Sequence, residues 1–102
     1  MKLREIAHSR TGDKGNTANI SVIPYDPADY PHLEKHVTAE RVKAHFSGVV
    51  KGDVVRYGLP GIGAFNFVLH ESLGGGVTRT LALDLHGKSL GSAILEMEIP
   101  GR

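Results

Sequence analysis

Strict alternation in residues 64–70 is the feature that most constrains this chain. Phe65, Phe67 and Leu69 fall on one side of the backbone, and Ala64, Asn66, Val68 and His70 on the other. Side chains that swap sides at every residue belong to a strand. One strand cannot bury a face of two phenylalanines and a leucine, so the run demands a sheet with a covering layer. Residues 17–24 read as a second strand, with Ala18, Ile20 and Val22 opposite Asn19 and Ser21. Residues 3–8 give a first strand with imperfect alternation, residues 53–57 a third, and residues 77–85 a fifth.

Helices fill the gaps. Asp26 can cap and Pro27 suits a first helical position, but Pro31 follows soon after. The first helix therefore either lasts one turn or begins near Tyr30. Thr38 is a fresh N-cap for residues 39–46, where Val42, Phe46 and Val49 keep one apolar stripe. Residues 89–96 are read as a last helix, although Leu95, Met97 and Ile99 alternating with Glu96 and Glu98 fit a strand equally well. The order β-β-α-β-β-β-α specifies an α+β two-layer sandwich, a mainly antiparallel sheet with helices on one face. The uncovered sheet face or edge then favours a homo-oligomer.

The chain of 102 residues is one domain, 1–102. A net charge of +1 argues against a protein built to coat nucleic acid or an acidic membrane surface. The absence of cysteine excludes disulfides, thiolate catalysis and zinc-thiolate sites. With no leader and no run of about 18 apolar residues, a cytoplasmic location is expected.

From the end of the first expected strand into the start of the second run Ser9, Arg10, Thr11, Gly12, Asp13, Lys14, Gly15, Asn16, Thr17, Ala18 and Asn19. A strand-to-strand turn needs only about two to five residues. The surplus of polar groups marks a candidate anion pocket: Gly12 and Gly15 at positive φ could aim their amides inward, with Arg10 and Lys14 supplying charge. The plain alternative is a structured loop in which Asp13 and Asn16 satisfy backbone amides. Gly12-Asp13-Lys14-Gly15 has the Gly-x-x-Gly spacing of KH nucleic-acid clamps, but that loop joins two helices, and nucleic acid is not the expected partner.

His70 and Asn66 share one strand face. His70 or Asp13 is a candidate proton carrier, against the plain reading of His70 as an exposed histidine at a strand end. Arg79 lies on an otherwise apolar face and is expected to pair with Asp13 or a bound anion. His32 and His36 stand at i, i+4 without a third ligand, so no metal is expected and a solvated helix face is preferred. Gly74, Gly75 and Gly76 lack the flanking residues of a P-loop or dinucleotide fingerprint and read as a chain reversal or subunit contact. No cofactor is implied, and no Gly-x-Ser-x-Gly elbow occurs.

Four blocks carry a family resemblance: Ile6 through Ile20, Thr38 through Phe46, Gly63 through His70, and Leu73 through Leu81, with Gly87 through Gly91 fitting as well. Together they resemble the small C-terminal domain of the AtuA (acyclic terpene utilization) family. The resemblance implies a ferredoxin-like α+β fold and a setting in branched acyl-CoA or terpenoid acid breakdown. It supplies no catalytic residues. Larger relatives carry a long domain before this module, which suggests a separately encoded large subunit as partner. Two functions result. One is an accessory module that binds such a partner, with an acidic or phosphate-bearing metabolite at Ser9, Arg10, Gly12, Asp13, Lys14, Gly15, Asn16, Asn19, Asn66 and Arg79. The other is a small acid–base enzyme on an acyl or enoyl substrate.

Overall fold

A computed structural model describes residues 1–14, 17–47, 50, 52–70 and 90–102. Four strands form one sheet in the order β1-β2-β4-β3: β1 (Ala7–Lys14), β2 (Thr17–Pro24), β3 (Val54–Leu59) and β4 (Ala64–Leu69). Every pairing is antiparallel. Helices α1 (Tyr30–His36), α2 (Ala39–His45) and α3 (Leu90–Ile94) lie over one face, completing an α+β ferredoxin-like arrangement. No helix among the described residues is long and apolar enough to cross a membrane.

Register explains which face is covered. Ile20 stands opposite Phe67, Val22 opposite Phe65, and Ala18 opposite Leu69. All six are buried, and Leu33, Val42 and Ile94 from the three helices close over them. Tyr30 of α1 stacks on Phe65 at 4.4 Å between centroids. Arg56, opposite Phe67 on β3, lays its guanidinium 5.2 Å from the Phe65 centroid and donates to the Glu34 and Val37 carbonyls at 2.8 and 2.9 Å. It thereby satisfies carbonyls at the end of α1 that the helix itself leaves open.

Local signals placed the helices well. Asp26 accepts from the Ala28 amide at 2.9 Å and opens a 3-10 turn, Pro27–Asp29. Pro31 does not break α1, because it sits in the first turn, where a proline has no intrahelical bond to lose. Thr38 caps α2 by accepting from the Arg41 amide at 3.2 Å.

Three expectations need correction. Residues 3–8 are not one strand: Leu3–Glu5 is a 3-10 turn, and β1 starts at Ala7. The polar stretch after it is not a loop. Residues 9–14 continue β1 and pair with β2 out to Lys14 opposite Thr17. The last helix stops at Ile94, not residue 96. Beyond it the chain runs along the N-terminus, with the Leu3 amide donating to Met97 and the Ile99 amide to Met1, at 2.9 and 2.8 Å. The expected strand at 77–85, the triglycine and the turn at 86–88 lie outside the described residues.

Candidate functional site

The β1–β2 hairpin deals its residues to opposite faces, and this divides the expected anion pocket. Ser9 and Thr11 face the helical layer and are taken up by α3. Ser9 Oγ donates to the Gly91 carbonyl at 2.8 Å, and the Gly91 amide donates to Thr11 Oγ1 at 2.7 Å. The two hydroxyls clamp a buried glycine peptide against the sheet. Ser9 therefore does not share a surface with Arg10.

Arg10, Gly12, Asn19 and Asn66 lie on the opposite, uncovered face. Arg10 is exposed and pairs with Ser21, whose hydroxyl donates to Asn66 Oδ1 at 3.4 Å. Gly12 does not adopt positive φ. It is an ordinary strand residue opposite Asn19, and a Cβ there would meet Asn19 Oδ1 at 3.1 Å. Among the described glycines only Gly63 has positive φ, at 64°. The amide concavity expected from Gly12 is thus replaced by a flat polar ladder of Arg10, Ser21 and Asn66, with the Asn19 amide lying over Gly12.

Asp13 and Lys14 occupy the last register positions of β1, opposite Ala18 and Thr17. Gly15, Asn16 and Arg79 lie outside the described residues, and with Arg79 its expected pairing to Asp13. His70 is exposed just past β4, its backbone bonded to Asp53 and Gly52. The register puts Asp13 and Leu69 two strands apart, so the backbones of Asp13 and His70 are separated by about 10 Å. Among the described residues no group of three or more His, Cys, Asp or Glu could hold a metal ion.

A second feature escaped the sequence reading. An open groove of about 670 Å³ runs between Ile23–Pro31 and the turn at Pro60–Gly63. Four of the chain's five prolines and two of its three tyrosines line it. Tyr30 forms its floor, braced by Phe65, and its hydroxyl lies 3.1 Å from where a Cβ on Gly58 would stand. Tyr25 forms one wall and stacks on His8 at 5.4 Å. Ile62 on the opposite lip is 74% exposed, and Tyr25 65%. With Tyr57 and Leu59 of β3 they are all the exposed large hydrophobic residues among those described, and they gather at one end of the sheet. The density of proline and tyrosine in 24–31 was a visible signal, but its partner at 60–63 comes together with it only through the fold.

Comparison with known proteins adds a family. A model described as the AtuA ferredoxin-like domain matches residues 1–100. No curated protein and no solved structure matches the chain.

Proposed function

The chain belongs to the AtuA ferredoxin-like domain family, and from that premise we propose that it is a partner-binding module. Its partner is a large AtuA-type subunit in branched acyl-CoA or terpenoid acid catabolism in the cytoplasm. One observation carries this reading: Tyr25 and Ile62 stand exposed on the two sides of an apolar groove, and Tyr57 and Leu59 of β3 are exposed at the same end of the sheet. Large side chains left in water at one end of a small protein mark a surface built to be covered. The polar ladder beside them supplies register, since hydrogen-bonding groups at the rim of an apolar patch orient a partner more than they hold it. Arg10 is the charge that the described part of this face offers to an acidic or phosphate-bearing metabolite at that rim.

The test is capture of the tagged chain with its partners identified, repeated with Ile62→Asp. Stoichiometric recovery of a large AtuA-type subunit, lost in the variant, is the expected result. Recovery of the chain with only copies of itself would replace the large subunit by a homo-oligomer. Turnover of an acyl-CoA ester by the purified chain, abolished by His70→Ala, would replace the module by an enzyme.

A further inference from the structure

We propose that the C-terminal end of α1, where His32, Lys35 and His36 meet Arg41 of α2, is a binding site for the phosphate group of a small phosphorylated molecule. The site lies in the helical layer, on the other side of the sheet from the polar ladder of Arg10, Ser21 and Asn66. It therefore goes beyond the partner-binding reading and does not depend on it.

The first argument is the surplus of positive charge. Arg56 already serves the end of α1, with bonds of 2.8 and 2.9 Å to the Glu34 and Val37 carbonyls. Arg41 approaches the same end but makes one long contact, 3.3 Å to the His36 carbonyl. A guanidinium has five N–H donors, so most of the Arg41 fork is left unused by that contact. Among the described residues, Lys2, Arg4, Lys43 and Arg102 each have a carboxylate within 4.0 Å. Arg10 on the far face has none, and neither do Lys35, Arg41 and Arg56, although Glu34 adjoins Lys35 and Glu40 adjoins Arg41 in sequence. Arg41 and Arg56 thus both reach one helix end without a carboxylate partner, and Lys35 lies in the last turn of that helix.

The second argument is the pair of imidazoles. Their ring centroids are 4.6 Å apart and tilted by 58°. His32 is fixed by donating from Nε2 to the Pro100 carbonyl at 2.8 Å, which leaves its Nδ1 as an acceptor in the neutral ring. His36 is drawn below its ordinary pKa, first by partial burial and then by His32, Lys35 and Arg41. A place where positive neighbours discourage a proton is one where an anion is welcome. The same field opposes a divalent cation, and two imidazoles alone fall short of the usual ligand count. A phosphate matches the donors present: Arg41 offers a planar fork, Lys35 an ammonium in the last turn, and His36 a donor once protonated, while Arg56 already offsets the negative carbonyl end of the helix.

The test is histidine-resolved NMR titration with pyrophosphate and with inorganic phosphate, at matched ionic strength. Pyrophosphate is expected to raise the pKa of His36 and to leave the titration curve of His45 where it was. Binding is expected to weaken about tenfold in Lys35→Ala and again in Arg41→Gln. Lys35 is exposed and carries no described contact, so its variant separates binding from folding. Three results overturn the site: no movement of His36 at millimolar pyrophosphate, equal movement of His45, or zinc bound by His32 and His36 while pyrophosphate has no effect. None of them bears on capture of a partner at Ile62.

Discussion

At the scale of single residues, two glycines meet similar crowding with different consequences. A Cβ on Gly12 would lie 3.1 Å from the tip of Asn19, and one on Gly58 would lie 3.1 Å from the Tyr30 hydroxyl. Asn19 is exposed and can swing aside. Tyr30 is a rigid ring stacked on Phe65 and cannot. Gly12→Ala should therefore cost less than about 1 kcal/mol, and Gly58→Ala about 1–3 kcal/mol; urea unfolding midpoints check both. His36 makes a pH argument. Its folded pKa is below its unfolded one, so between the two values the unfolded chain holds more protons. Stability should rise with pH through that window and fall as the solution is acidified below the ordinary imidazole value of about 6.5. Lys35→Ala, which removes one of the causes, should flatten the dependence of unfolding midpoint on pH across the same window.

At the scale of elements, the β1–β2 hairpin shows what could be read and what could not. Strands β2 and β4 were legible because each buries one face and alternates cleanly. The start of α2 was legible because Thr38 acts within its own turn. Residues 9–14 were misread because β1 has no apolar residue after Ala7, and its first two covered positions there are hydroxyls. A strand of that composition holds its place by hydrogen bonds to Gly91, 80 and 82 residues away, which no local pattern can report. The same holds for residues 95–99, whose ambiguous alternation is settled by pairing with the N-terminus. Of the anticipated site, Arg10, Asn19 and Asn66 do come to one face, whereas Ser9 is diverted to structure. Thr11→Val should leave the Gly91 amide without its partner. Because Thr11 is exposed and water can reach it, the cost should be about 1 kcal/mol. Faster amide exchange confined to α3 would identify the clamp as what holds that helix down.

At the scale of the whole molecule, cohesion and recognition are spatially separate. Buried side chains lie between the sheet and the three helices, while the exposed apolar ones collect at the Pro60–Gly63 end. Ile62→Asp should accordingly change folding stability by no more than about 0.5 kcal/mol while abolishing partner capture. Parallel denaturation and pull-down measurements would show whether the two can be uncoupled. A matching loss of both would mean that the groove is part of the core.

The pairing of Met1 with Ile99 has a further consequence. The Met1 ammonium donates to the Ile99 carbonyl at 2.8 Å, and the Ile99 amide returns a bond of the same length. The path of the chain is therefore close to a closed ring. A ring-like module can be spliced into a surface loop of a host protein without prising that loop apart, or reopened elsewhere after its old ends are joined. For protein engineering this makes the fold a cassette, one whose attachment point can be moved while its contacts stay the same.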